Sequence, residues 1–234
     1  MLLNCLKMLP NCLLSLINEY TPAEYEAFPD AVVVSIKSNT YNINEFVKYK
    51  NLRYIWMDNF NGDLSPLKGM SIQKIWMNKY TGDLSPLKGA PIQKICMYNF
   101  EGDLSPLKGA PIQNIWMESF NGDLSPLKDM PIRDICMDSY TGNLNPLKGA
   151  PIEEIWMNEF TGDLSPLKGA PIQEIFMDSF TGDLSPLKGA PIQEINMDSF
   201  DGLAFSLSPL KDAPIRTISM DNFEGDLSHL KGAP

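Results

Sequence analysis

The residues of this chain that could do chemistry stand in columns, with one member in each successive 20-residue stretch. Carboxylates dominate two of these columns and aromatic rings a third, whereas histidine occurs once, at His229. The sequence contains no phosphate-binding glycine loop, no nucleophile elbow, no zinc-site spacing of histidine and cysteine, and no calcium-binding loop. We therefore expect a non-enzymatic protein with no catalytic residues, no cofactor and no bound metal, in which the columns bind a partner.

Numbering each repeat from 1 to 20, with Pro171 as position 1 of one copy, places all four tryptophans at position 6. Position 4 is lysine in two early copies, at Lys74 and Lys94, and positions 4 and 8 are mostly acidic in the second half of the chain. Tryptophan is enriched at interface hot spots, and a column of like charges favours a partner of opposite charge. We predict that a protein or peptide, with a basic patch, binds Trp56, Trp76, Tyr98, Trp116, Asp134, Asp138, Glu154, Trp156, Glu174, Phe176, Asp178 and Glu194.

Three other interpretations of these columns stay open. Large and small side chains alternate from Trp76 through Cys96 to Trp116, which would ease packing between crowded neighbours. The acidic columns would also serve simply to keep the protein in solution. A carbohydrate could instead stack its sugar rings on the tryptophans.

The composition excludes several partner classes. A formal net charge of −10 and a pI of about 4.6 argue against nucleic acids and anionic membranes. No apolar run approaches the length of a transmembrane helix, and the N-terminus lacks the basic start and cleavage site of a signal peptide. Cys96 and Cys136 occupy one repeat position two copies apart, about 10 Å in a stacked sheet and beyond disulfide reach. Unpaired thiols favour a reducing compartment, so we expect a cytoplasmic protein.

The columns arise because one unit is repeated nine times over residues 51–234, with one copy lengthened to 23 residues. Such a period is typical of a solenoid, in which each unit buries its apolar face only against its neighbours. In the copy that begins at Pro171 the recurring apolar residues are Ile172, Ile175, Met177, Phe180, Leu184 and Leu187.

Each copy predicts one strand and one helical turn. The alternation of positions 5 and 7 with variable neighbours is typical of a short strand with one buried face. In residues 185–189, Ser-Pro-Leu-Lys-Gly, we expect Ser185 to cap a single turn, Pro186 to start it and Gly189 to end it in the left-handed region.

This pattern resembles the leucine-rich repeat, whose core reads L-x-x-L-x-L-x-x-N-x-L. The segment D-L-S-P-L is similar to that of the short internalin-like and SDS22-like classes. The resemblance covers about residues 30–234 and implies an α/β solenoid. It would be an arc of about ten coils, with a parallel sheet on the concave face and short helical turns on the convex side.

One position departs from the family pattern. Where the family has asparagine, position 10 of this chain carries Phe60, Tyr80, Phe100, Phe120, Tyr140, Phe160, Phe180, Phe200 and Phe223. We expect these rings to form a stacked spine. Backbone groups must then be satisfied in another way. The candidate acceptors are Asp63, Asp83, Asp103, Asp123, Asp163, Asp183 and Asp226.

The ends differ from the nine clear copies. Residues 1–29 predict a helical cap, and residues 30–50 a degenerate first coil with Val34 and Ile36 at buried positions. Residues 9–20 also resemble the opening of an F-box, which implies a substrate adaptor of a ubiquitin ligase as an alternative function. The last copy keeps its apolar residues without a polar cap. We expect it to pair with another copy of the chain, unless the sequence is a piece of a longer repeat protein.

Overall fold

The computed structural model describes residues 33–36, 43–44, 49, 51–200, 206–221, 223 and 225–230. The predicted helical cap and the F-box-like segment lie outside these residues, as does the insertion that lengthens one copy.

One open parallel sheet contains ten strands in the order of the chain. The strands are β1 (Val33–Ile36), β2 (Tyr54–Asp58), β3 (Lys74–Asn78), β4 (Lys94–Tyr98), β5 (Asn114–Trp116), β6 (Asp134–Cys136), β7 (Glu154–Trp156), β8 (Glu174–Phe176), β9 (Glu194–Asn196) and β10 (Thr217–Ser219). Each strand pairs with the next in strict repeat register, so that Ile155 lies beside Ile175 and Ile175 beside Ile195. The predicted solenoid of about ten coils is confirmed.

The first strand belongs to the degenerate copy. Val34 pairs with Ile55 and Ile36 with Met57, which places both residues in the register of the buried positions. The boundaries proposed for the N-terminal region, at residues 29 and 50, remain predictions.

The other side of each coil is a single 3-10 turn. These turns span Ser65–Leu67, Ser85–Leu87, Ser105–Leu107, Ser125–Leu127, Asn145–Leu147, Ser165–Leu167, Ser185–Leu187, Ser208–Leu210 and Leu227–Leu230. A proline near the start of most of them fixes φ at a helical value without losing a needed donor. The glycine that follows takes the predicted left-handed conformation, with φ of +84° at Gly169.

The predicted serine cap is wrong. Leu184 precedes the turn and makes no side-chain cap bond, while Ser185 is the first residue of the turn. The backbone N–H of Ser185 donates instead to Oδ1 of Asp183, at 2.8 Å. A carboxylate two residues ahead is a stronger acceptor than the serine hydroxyl. Hydrogen bonds from the side-chain hydroxyl and from the backbone N–H of Ser185 lower the pKa of Asp183.

The same bond recurs along the whole stack. A backbone N–H two residues later donates to Asp63, Asp83, Asp103, Asp123, Asp163, Asp183 and Asp226. They accept backbone N–H groups, but those of the turn, so their predicted role in replacing the family's asparagine beside the aromatic column is wrong.

The core is one continuous column of apolar layers between the sheet and the turns. Ile172, Ile175, Met177, Phe180 and Leu184 are each at most 1 % exposed. Full burial of a side chain of this size contributes about 1.5–3 kcal/mol. Because each layer lies against the equivalent layer of the next coil, no coil has a separate core.

The predicted aromatic spine forms at the end of the strands. Rings of adjacent coils stack nearly parallel, with centroids 6.2 Å apart for Phe100 and Phe120 and 6.3 Å apart for Phe160 and Phe180. From Phe60 to Phe180, each ring lies over the glycine two residues later in the chain. A Cβ on Gly182 would come within 2.4 Å of Cζ of Phe180, so the large ring requires the small neighbour.

This contact predicts that Gly182→Ala destabilises the fold by about 1–3 kcal/mol through overpacking. The midpoint of urea unfolding, followed by circular dichroism, measures the loss. Gly182→Ala in a Phe180→Leu background should cost less than in the wild-type chain, because leucine leaves room for the new methyl group. The neighbouring exposed substitution Thr181→Ala is the control. Equal effects of Gly182→Ala in both backgrounds would contradict the steric explanation.

Candidate functional site

Positions 4 and 6, together with position 8 in the longer strands β2 to β4, lie on the face of the sheet that is turned away from the core. The register brings equivalent side chains side by side, for example Glu154 beside Glu174 and Trp156 beside Phe176. We call this surface the outer sheet face, and its position-6 residues from Trp56 to Phe176 the aromatic strip.

The first half of the aromatic strip packs against itself. The rings of Trp56 and Trp76 stack with centroids 4.3 Å apart and planes 5° apart. Trp76 also contacts Tyr98 at 5.5 Å and meets Trp116 edge-on at 6.4 Å. As a result Trp76 is only 6 % exposed and Trp116 only 5 % exposed. These rings form a second apolar cluster with Cys96 and Cys136, which favours packing as their main role.

A lysine of the chain itself covers part of this cluster. Nζ of Lys94 lies 3.3 Å from the centroid of the Trp116 ring, a cation–π contact. Burial lowers the pKa of Lys94, although the charges of Asp134 and Glu154 act in the opposite direction. The cation at this end of the outer sheet face therefore already has an aromatic partner.

The second half of the aromatic strip is more open. Trp156 and Phe176 stack with centroids 3.7 Å apart, and both are half-buried. Nε1 of Trp156 donates a hydrogen bond to Oε1 of Glu154. Position 6 then changes from large rings to the small polar side chains of Asn196 and Ser219. We call the place where the Phe176 ring is followed by the smaller side chain of Asn196 the step.

Four carboxylates stand beside this open half on adjacent strands. We call Asp134, Glu154, Glu174 and Glu194 the carboxylate row; the sheet register makes each the Cα partner of the next. Burial raises the pKa of Asp134, Glu154 and Glu174. At Glu174 the neighbouring charges of Glu194 and Asp134 raise the pKa further, and no positive charge of the described residues opposes them.

Position 8 has a structural role that the sequence analysis missed. Oδ1 of Asp138 accepts the backbone N–H of Asn158, and Oδ1 of Asn158 accepts that of Asp178. The series continues from Asp178 to Asp198 and from Asp198 to Asp221, with distances of 3.1 and 2.8 Å. We call this series the Asx ladder.

The Asx ladder occurs where the strands are short. Strands β5 to β9 end at position 6, whereas β2 to β4 continue to position 8. Beyond the short strands, the N–H groups of positions 7 and 9 donate to the next coil, as Met157 does to Phe176 and Glu159 to Asp178. The N–H of position 8 points to the previous coil, where a side chain accepts it. The Asx ladder thus satisfies backbone groups beside the aromatic spine, where the family pattern uses asparagine at position 10.

The predicted binding residues therefore separate into three groups. Asp134 accepts a hydrogen bond from the side chain of Asn114, and Asp138 and Asp178 accept backbone hydrogen bonds, so part of their acceptor capacity is already used. Trp76, Tyr98 and Trp116 are buried in the aromatic cluster, and Trp56 packs against it. The half-buried residues of the second half, Glu154, Trp156, Glu174, Phe176 and Glu194, lie together and remain a predicted contact surface. The one sequence signal for the Asx ladder is the unbroken run of Asp or Asn at position 8 from residue 138 onward.

Other predicted features fall outside this surface. Cys96 and Cys136 are buried and form no disulfide, as their spacing predicts. In the last described coil Ile218 is 41 % exposed and Leu227 is 52 % exposed. Pairing of this coil with a second copy stays a prediction.

Within the described parts of the chain, no helix is long and apolar enough to cross a membrane. No group of three or more histidine, cysteine, aspartate or glutamate side chains among those residues has the arrangement of a metal site.

The Asx ladder predicts different effects for two substitutions of Asp178. Asp178→Ala leaves the N–H of Asp198 without its acceptor and should be less stable than Asp178→Asn by about 1 kcal/mol at any pH. Asp178→Asn keeps an acceptor, as Asn158 does in the preceding coil, and removes a charge. Urea unfolding of both variants between pH 3 and pH 8 measures the difference.

The pH dependence of the stability difference between Asp178→Asn and wild type follows from the direction in which folding shifts the pKa of Asp178. Burial, together with the charges of Asp198 and Asp138, raises the pKa of Asp178 in the folded protein, although the hydrogen bond from Asp198 opposes this. The folded state then holds its proton to a higher pH than the unfolded state, and stability falls as the pH rises through that window. Asp178→Asn should therefore be more stable than wild type at pH 7, with the advantage vanishing below the ordinary pKa of aspartate. An advantage that persists at pH 3 would contradict this assignment.

Comparison with known proteins supports the architecture. No protein-family model matches the chain, and no curated protein matches it in sequence. Among solved structures it is similar to an internalin C2 from Listeria monocytogenes, with a TM-score of 0.56 and 18 % sequence identity over 83 % of each chain. Together with the in-register parallel sheet and the regular 3-10 turns, this similarity identifies the fold of the chain as a leucine-rich-repeat solenoid.

Proposed function

We propose that this chain is a non-enzymatic protein-interaction module whose outer sheet face binds a basic segment of a partner protein or peptide. The observation that carries the proposal is the carboxylate row beside the half-buried stack of Trp156 and Phe176. The fold supplies an extended surface for such contacts, but a fold by itself does not assign a function.

At Glu174, on the side of the carboxylate row toward Glu194, no positive charge of the described residues compensates the negative charges. Adjacent strands of a sheet are about 4.8 Å apart, so the negative charges of Glu174 and Glu194 repel each other across the register. The charges that shift the pKa of Glu174 are all negative. A cationic partner would relieve this repulsion and favour the ionised form of each carboxylate.

The aromatic stack would add apolar contact area to this charge complementarity. Trp156 and Phe176 are held by each other, and Trp156 also by its hydrogen bond to Glu154. A side chain that is already ordered loses little conformational entropy on binding. The partner therefore meets a surface that is largely arranged in advance.

The two alternative functions lack comparable support. Residues 9–20, on which an adaptor of a ubiquitin ligase would depend, lie outside the described residues. The carbohydrate alternative depends on free faces of the tryptophan rings, whereas Trp76 is packed between Trp56, Tyr98 and Trp116.

Selection of random 12-residue peptides displayed on phage tests the proposal. Peptides that bind the wild-type chain should be enriched in arginine and lysine. Their affinity should fall by about tenfold or more in Glu154→Gln/Glu174→Gln, since each lost charge contact contributes roughly 1 kcal/mol. Isothermal titration calorimetry at low salt measures the affinities.

The matched control is Glu101→Gln/Glu153→Gln, which makes the same change in net charge. Glu101 is exposed in the segment after the strand, and Glu153 forms an ion pair with Arg133 beside the carboxylate row. Retention of binding in this control places the contact on the outer sheet face. Equal loss in both double variants, or selected peptides without positive charge, would reject the proposed function.

A further inference from the structure

We infer that the step between Phe176 and Asn196 is a subsite for a guanidinium group, and hence for an arginine side chain of the partner. The inference rests on the proposed function, because it assigns the chemistry of one contact on the outer sheet face. Three kinds of group lie there on two adjacent strands: an aromatic ring, two carboxylates and a hydrogen-bond acceptor without a partner in the described residues.

The aromatic ring provides a platform. Phe176 stacks on Trp156 on the side of the preceding coil, at a centroid distance of 3.7 Å. On the side of the next coil its register partner is Asn196, whose side chain is much smaller than a ring. Phe176 is half-buried, and its partner on this side is an amide and not a ring, so no other ring of the strip lies between Phe176 and Asn196. A guanidinium group is planar and stacks on aromatic faces.

Two carboxylates flank this platform. Glu174 and Glu194 are Cα partners on β8 and β9, each two residues before a member of the step and therefore on the same face of the sheet. A guanidinium group carries five N–H donors in a fixed fork, which suits simultaneous contact with carboxylates. The ammonium group of lysine is a compact charge without this geometry.

An amide oxygen at the step lacks a partner. Oδ1 of Asn196 is shielded from solvent and accepts no hydrogen bond from the described residues. An acceptor left unpaired in a buried place is costly. If the amide of Asn196 rotates toward the step, one N–H of a guanidinium group can donate a hydrogen bond to Oδ1. An apolar side chain of the partner could not supply this donor.

The chain itself contains an example of a similar contact. In the first half of the strip Nζ of Lys94 lies 3.3 Å from the centroid of the Trp116 ring, with Asp134 and Glu154 close enough to affect its pKa. A cation on an aromatic face beside carboxylates is therefore compatible with this sheet. Beside Phe176, position 4 carries Glu174 and Glu194 where the first half of the strip has Lys94, so the cation would come from the partner.

Titration with the peptide acetyl-Gly-Arg-Gly-Arg-Gly-amide tests the inference, with forms that carry lysine or the neutral isostere citrulline in place of arginine as comparisons. Binding to the full chain is followed by nitrogen-15 and proton chemical shifts at low salt. We expect arginine to bind at least about fivefold more tightly than lysine, because it can stack and donate in a fork. The citrulline form should bind too weakly to measure, and the largest shifts should lie in β8 and β9.

Substitutions then separate the subsite from general charge attraction. Phe176→Leu and Asn196→Leu should each reduce the affinity for the arginine peptide toward that of the lysine peptide, while the lysine affinity changes little. Glu174→Gln/Glu194→Gln should abolish binding of both. Circular dichroism and unfolding midpoints confirm that each variant is folded.

The outcomes distinguish this inference from the proposed function. Equal binding of the arginine and lysine peptides, with loss of both in Glu174→Gln/Glu194→Gln, would overturn the guanidinium subsite and leave the basic partner in place. An arginine preference that survives in Phe176→Leu and Asn196→Leu would also overturn it. If none of the three peptides binds, the subsite is rejected, while the phage selection still decides the proposed function independently.

Discussion

In-register stacking is the constraint on which the rest of this structure depends. Because every strand pairs with the equivalent residues of the next copy, each side chain lies beside the residues at the same repeat position in the neighbouring coils. For the buried positions this is favourable, since isoleucine beside isoleucine and ring beside ring fill space without voids. The same rule governs the outer sheet face, where like beside like is not always favourable.

The columns of the outer sheet face accommodate in-register stacking in different ways. At position 8 the Asx ladder turns a row of Asp and Asn into acceptors for backbone N–H groups of the following coil. At position 6 the alternation of Trp76, Cys96 and Trp116 lets large rings fold over small residues. At position 4 Lys94 lies on the Trp116 ring. The end of the carboxylate row has no comparable solution within the described residues, and this difference localises the proposed contact surface to β7–β9.

The sequence predicted the core and the sheet well because both depend on periodicity. A strict period brings equivalent residues into register whatever their rotamers, so the apolar columns and the aromatic spine could be assigned from the repeat alone. The turns were predicted in place but not in detail. Asp183 accepts the N–H of Ser185, where a serine cap was expected, because the carboxylate two residues earlier can reach the same donor. Which of two nearby side-chain oxygens accepts a backbone N–H depends on the local backbone geometry, and a pattern of residue types does not specify that geometry.

The outer sheet face divides in the same way between what the sequence determined and what the tertiary structure decided. The sequence by itself determined which residues share this face, since alternation along a strand and identity between copies are properties of the chain. It did not determine which of them remain accessible. Trp76 and Trp116 are buried by rings of neighbouring coils, and Asp178 is engaged by the backbone of the next coil. Burial and hydrogen bonding of a surface column depend on side-chain contacts between coils, and those contacts exist only once the coils have stacked.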